Sequence, residues 1–295
     1  MNRTLHTTPS SALFLGQGWE NKRNRGIYLT AHREIAAYHA EEILSAFSDI
    51  EDKIAQGKTA FGFIAYEAAT AFDLPTHRNS GEFPLVWFGF CHEEEIQSLS
   101  LTEVLDPPPF PEASLNIQSP LSLPYEPYEK HLSTIKRYIA RGDTYQVNFT
   151  IRADCAFPIQ GIPLFQSLYR EQPVPYAVFL QTRNWEIHSL SPELFLKKSS
   201  DHIESRPMKG TLHRGRTTAE DRLLEDALRQ SEKDRAENVM ILDMVRNDFG
   251  RCCLPGSVHA EKICQIERYR SLYQMTSTVH GQVIPGSTFS QILAA

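Results

Sequence analysis

Apolar and polar positions along the 295-residue chain change period several times. Between Ile35 and Phe47, apolar residues recur at Ile35, Tyr38, Ile43 and Phe47, which predicts a helix. Phe61–Tyr66 and Leu85–Phe90 are short aromatic runs of the kind that sit in strands. From Tyr128 to Arg141, Leu132, Ile135 and Ile139 share one face of a predicted helix, and Gly142 stands where a C-cap is needed. Thr144–Ile151 alternates as a strand does, and Pro163 opens a short helix to about Glu171. Four strand-like runs follow: Tyr176–Gln181, Trp185–Leu190, Glu193–Lys197 and His202–Arg206. Two helices come next, each behind a capping-box pattern. Thr217–Glu220 precedes Leu223, Leu224, Ala227 and Leu228; Asp234–Glu237 precedes Val239, Met240, Ile241 and Met244. Strands in series followed by helices in series predict an α+β fold, not a doubly wound parallel sheet.

Prolines 107, 108, 109, 111, 120, 124 and 127 are seven of the chain's 18. That density removes backbone donors and favours extended chain. It divides the sequence into an N-terminal α+β subdomain (1–110), a proline-rich linker (111–124) and a second domain (125–295).

Composition narrows the function classes. At 41% hydrophobic and 22% charged residues, there is enough apolar surface to offset chain entropy, so disorder over most of the chain is excluded. A net charge of −6 disfavours nucleic-acid binding driven by bulk charge. The most apolar window, Phe61–Phe72, contains Glu67 and is too short to span a bilayer as a helix. The N-terminus has no signal-peptide core. The five cysteines include no CxxC pair, and Cys252 and Cys253 are adjacent, which suits buried thiols in a reducing cytoplasm.

Three groups of residues could carry chemistry. Lys209 lies between a proline and a glycine in Arg206–Thr211, a frame that can present an amine as nucleophile or base. The plain alternative is a lysine at an exposed strand end. Glu193 opens a strand after Ser191-Pro192, as a general acid/base or as a polar strand-edge residue. Glu237, Asp243 and Asp248 lie on one predicted helix, and carboxylates suit a hard cation such as Mg²⁺. For Glu237 the plain alternative is the acidic end of a capping box. Zinc spacing, a serine-hydrolase elbow and a phosphate loop are all missing from the sequence.

Taken in order, Gly142–Asn148, Ser191–Phe195, Arg206–Thr211 and Ser231–Asp248 closely resemble motifs of the chorismate-utilising enzymes. This family includes anthranilate, isochorismate and salicylate synthases and aminodeoxychorismate synthase component I. Gly62–Ala68 also resembles the N-terminal region of the last branch. Lysine at position 209 implies that branch, because the anthranilate and salicylate enzymes typically carry alanine there. The resemblance further implies Lys209 as nucleophile, Glu193 as general acid/base, Gly210 and Thr211 beside the substrate ring, and Glu237 as a Mg²⁺ ligand. It implies chorismate as substrate, with ammonia from a glutamine amidotransferase subunit. Gln274 stands where many relatives have histidine, and it receives no acid/base role. The implied fold is α+β, with two packed, largely antiparallel sheets flanked by helices. Relatives continue past the point that matches Ala295, so the resemblance implies a sheet and metal site incomplete at the C-terminus. The alternatives are anthranilate synthase component I, or a truncated, inactive fragment acting at most as a binding module.

Overall fold

The computed structural model describes residues 9–19, 25–77, 80–105, 121–153 and 160–295. Most of the linker expected at 111–124, and Cys155, lie outside them. The chain forms β1 (Ser11–Leu15), β2 (Arg25–Thr30), β3 (Arg33–Ala37), α1 (Ala40–Ala55), β4 (Lys58–Ile64), β5 (Val86–His92), β6 (Gln97–Ser100), α2 (Leu101–Val104), α3 (Tyr125–Arg141) and α4 (Gly161–Glu171). It continues with β7 (Tyr176–Gln181), β8 (Glu186–Ser191), β9 (Leu194–Ser199), β10 (His202–Arg206), β11 (Met208–His213), α5 (Thr218–Gln230), α6 (Glu232–Cys252), β12 (His259–Arg268), β13 (Leu272–Gln282) and α7 (Phe289–Leu293). Contacts divide it into two compact units: residues 1–107 with 165–295, and residues 108–164.

The fold is α+β, and every ladder among the described strands is antiparallel. In the first unit, one sheet runs β6-β2-β1-β7-β8, and a three-stranded sheet runs β3-β5-β4. The third sheet joins β9, β10, β11, β12 and β13. β1 is apolar after Ser11 and almost wholly buried, paired on one edge with β2 and on the other with β7. Ala12, Leu29 and Leu180 of the first sheet meet Phe61 and Trp87 of the three-stranded sheet in one core. α1 buries Ile43, Ala46, Phe47 and Ile50, spaced i, i+3, i+4 and i+7, against the other face of that small sheet. Leu242, Phe249 and Cys252 of α6 pack on Ile203 and Val279 of the third sheet.

The predicted strands between 176 and 206 appear as β7 to β10, with shifts of one or two residues at some ends. Several predictions are corrected. Ile35 lies in β3, and the helix starts only at Ala40. Its start is fixed by Glu42, which accepts hydrogen bonds from the amides of Tyr38 (2.8 Å) and His39 (3.1 Å). Thr144–Ile151 in the second unit is not a strand. Alternation alone does not make a ladder without a partner, and Tyr145, Val147 and Ile151 are exposed. In the same unit α3 begins three residues earlier than predicted and ends at Gly142, whose φ of 80° is left-handed as expected. The described cysteines, Cys91, Cys252, Cys253 and Cys264, are free and buried. Burial pushes the Cys253 thiol up to about 12, so it is a poor nucleophile.

Candidate active site

The site is built on the third sheet. β10 and β11 pair with β13 in one register, Ser205 opposite Val279 and Met208 opposite Thr276. They therefore run end to end along one edge of β13, with Pro207 at the junction, and β12 pairs along the other edge. Beyond Met208 the register slips by one residue, so Thr211 faces Gln274. Lys209 and Gly210 together oppose Met275, which makes a β-bulge. Bulges re-aim side chains, and they are common beside functional sites. Gly210 has φ +96°, and a Cβ there would stand 3.0 Å from Cβ of Asp234 in the first turn of α6. Only glycine satisfies both demands. Lys209 is half-buried inside β11 and not at an exposed strand end.

Glu193 precedes β9 and is exposed. Its Oε1 accepts a hydrogen bond from the Met208 amide at 3.1 Å. Ser191 shapes the turn by accepting from the Glu193 amide (3.1 Å) and donating to the Glu193 carbonyl (3.3 Å). Arg206 holds the same turn through the Pro192 carbonyl (3.4 Å) and pairs with Glu267 at 3.3 Å. Glu267 also accepts from the hydroxyls of Tyr269 (2.6 Å) and Thr276 (3.1 Å). Burial, with Glu267 alongside, pushes the Tyr269 hydroxyl well above its ordinary pKa. Beside this turn is an open cleft of about 500 Å³, lined in part by Trp19, Tyr176, Glu193, Phe195 and Lys197.

Thr211 is exposed, and its hydroxyl donates to Oε1 of Gln274 at 2.9 Å. α6 begins earlier than predicted. Ser231 is its N-cap and accepts from the Asp234 amide, so Asp234 does not open the helix. Glu237 thus lies in the second turn, free of any capping duty, with Lys233 3.9 Å away. Its side chain is one-third exposed. Asp243 is exposed and pairs with Arg246 at 2.8 Å. Asp248 is partly buried, which raises its carboxyl pKa. At 1.5 Å per residue it lies roughly 16 Å along the helix from Glu237, too far to share one ion.

Among the described residues no three His, Cys, Asp or Glu side chains are grouped to hold a metal. Mg²⁺ is usually held by one or two protein carboxylates together with waters and substrate oxygens. Glu237 fits that pattern as a single hard ligand and does not make a protein cage.

Asn238 was not singled out from the sequence. It is 1% exposed and sits next to Glu237 on the face of α6 that meets the sheet. Its Nδ2 donates to the carbonyls of Met275 (3.0 Å) and Lys209 (3.4 Å). Its Oδ1 accepts from the Ser277 hydroxyl and from Cys264 Sγ (3.8 Å). The available signal was its position: Asn238, Leu242, Phe249 and Cys252 are the buried residues of α6. A polar side chain at such a place needs partners.

The bulged Lys209 and Glu193, which is tied to the neighbouring amide, thus stand together on one antiparallel sheet. The family profile described as chorismate binding enzyme matches residues 13–295. The chain belongs to that family. It is 30% identical over 240 residues to aminodeoxychorismate synthase component 1 of Bacillus subtilis, covering 79% of this chain and 51% of that protein. It is 34% identical over 170 residues to an anthranilate synthase component 1 of Haloarcula marismortui, covering 58% of this chain and 35% of the relative. The chain thus spans about half, or less, of the length of these relatives. Its fold is shared with the menaquinone-specific isochorismate synthase of Escherichia coli (TM-score 0.63, 12% identity, 97% of this chain and 68% of that one). No helix among the described residues is long and apolar enough to cross a membrane.

Proposed function

We propose that the protein acts on chorismate and forms 4-amino-4-deoxychorismate, the precursor of p-aminobenzoate and folate, as an aminodeoxychorismate synthase component I. The observation that carries this reading is Lys209, set on a bulge one residue from the amide that Glu193 holds. An amine is both a nucleophile and, once protonated, a leaving group, which is what a two-step substitution requires. In the first step the neutral Lys209 amine bonds to the chorismate ring. Glu193 protonates the departing 4-hydroxyl, which leaves as water, and the adduct's extra proton passes to a base. In the second step the adduct nitrogen takes a proton back from that base, ammonia bonds at the 4-position, and the lysine departs as a neutral amine with the electron pair of its bond. The incoming nitrogen gives its extra proton to the Glu193 carboxylate, which regenerates the enzyme. Thr211 and Gly210 border the ring. Glu237 would hold Mg²⁺, which neutralises a substrate carboxylate. Ammonia would come from a glutamine amidotransferase partner, in the cytoplasm.

Similarity to an anthranilate synthase keeps that activity as the second reading, and Lys209 argues against it. Incubation with chorismate, Mg²⁺ and ammonia separates the two: 4-amino-4-deoxychorismate supports the proposal, and anthranilate overturns it.

A further inference from the structure

We propose that Asn238 is a positioning residue that clamps the Lys209 bulge, fixing where the Lys209 amine stands. The inference rests on the reading of Lys209 as nucleophile. A bulge leaves backbone groups outside the ladder. The Lys209 carbonyl is met by Nδ2 of Asn238, whose second N–H goes to Met275, the residue opposite the bulge.

The other strand beside β13 is irregular at the same level. Glu261 faces Thr278 and Gln265 faces Thr276, so Lys262, Ile263 and Cys264 together oppose Ser277. Lys262 (φ 50°) and Cys264 (φ 56°) are both left-handed there. Ser277, fully buried, accepts from the Cys264 amide at 3.0 Å and donates to Asn238 Oδ1. One amide on α6 thereby reaches all three strands where their ladders break.

The chemistry explains the residue type. Two carbonyls need donors, and a hydroxyl and a thiol need an acceptor, which fixes the orientation of the amide and uses both its N–H groups. Aspartate has no donor when ionised. Leucine would leave two buried carbonyls unpaired, which is costly. Asn238 is also the neighbour of Glu237, so the clamp ties the helix carrying the proposed metal ligand to the strand carrying the proposed nucleophile.

The test compares Asn238→Asp, which keeps the shape, with Asn238→Ala and with Val279→Ala. Val279 is fully buried in the core between α6 and the sheet, so its variant reports general destabilisation. Hydrogen exchange of amides 208–213 should accelerate by about tenfold or more in the Asn238 variants and not in Val279→Ala. Turnover at saturating chorismate should fall about 100-fold in the Asn238 variants, with KM within about threefold, because displacement of a reacting group costs rate more than binding. If either Asn238 variant fails to fold, the other carries the comparison. Exchange at 208–213 that stays at the wild-type rate, or rises only in step with Val279→Ala, overturns the clamp. Lys209→Ala run in parallel isolates the underlying reading: full turnover by that variant defeats the nucleophile assignment, while the exchange result still decides the clamp.

Discussion

Glu193 Oε1 accepts a hydrogen bond from the Met208 amide at 3.1 Å, which ties the proposed acid/base to the backbone immediately before Lys209. That bond separates two functions of one carboxylate. Glu193→Gln keeps an acceptor for Met208, so the melting temperature should be unchanged within about 2 °C, the range of a surface substitution. Turnover should fall roughly 10²- to 10⁴-fold, the usual worth of a general acid/base. Circular dichroism melting with a chorismate-consumption assay checks both; wild-type turnover by the Gln variant contradicts the role.

Gly210→Ala should destabilise the protein. The new Cβ meets Asp234 at 3.0 Å and forces an L-residue to φ +96°. A strained backbone of this kind costs about 1–3 kcal/mol. Urea denaturation measures it, and an unchanged midpoint would show that the helix shifts freely.

Ser231 and Glu237 should behave differently although both lie near the start of α6. Ser231→Ala removes the cap and should cost about 1 kcal/mol. Glu237→Gln touches no cap and should cost less than about 0.5 kcal/mol. It should instead abolish the Mg²⁺ dependence of chorismate binding measured by calorimetry. Mg²⁺ linkage that survives the substitution removes Glu237 as the ligand.

Asp221 links stability to acid. Its carboxylate receives two hydrogen bonds from Arg214, at 2.8 and 2.6 Å, and one from the Gly215 amide at 2.8 Å. The Arg214 bonds first, and the Gly215 amide after them, hold its pKa well below the usual carboxylate range. Its folded value is depressed, so its stabilisation is present above the unfolded pKa near 4 and is lost as pH falls toward the folded value. Asp221→Asn should lower the melting temperature at pH 7 and flatten its decline below about pH 4. Melting curves from pH 2 to 7 test this; parallel curves for both proteins would show that the pair contributes nothing.

Much of the fold was legible in short runs whose side chains alternate or share a helix face. β7 and β10 were delimited to the residue, because each is bounded by turn formers or by Pro207. β1, β2, β3, β6, β11, β12 and β13 have no counterpart among the predicted strands, and for β11 and β12 their bulges supply a reason. Lys209-Gly210 and Lys262–Cys264 insert residues that break the two-residue period. The start of α6 was misplaced because Ser231–Asp234 and Asp234–Glu237 carry similar capping signals, and only packing decides between them. At the site, the motif resemblance points to Lys209, Glu193, Gly210 and Thr211; the structure sets Lys209 and Gly210 in a bulge, Thr211 next to it in β11, and Glu193 on the Met208 amide. Asn238 was hidden because its partners, Lys209, Met275, Ser277 and Cys264, are 26 to 39 residues away or lie in strands not foreseen.

If Lys209 bonds to the substrate, a covalent intermediate should accumulate when ammonia is withheld. Mixing the protein with chorismate and Mg²⁺, without ammonia, and analysing it by intact-mass and peptide mass spectrometry tests this most directly. A covalent adduct on Lys209, with the mass of chorismate less one water and discharged by added ammonia, is the predicted result. Formation of 4-amino-4-deoxychorismate at an undiminished rate by Lys209→Ala, with no adduct on the wild-type protein, would remove Lys209 as the nucleophile.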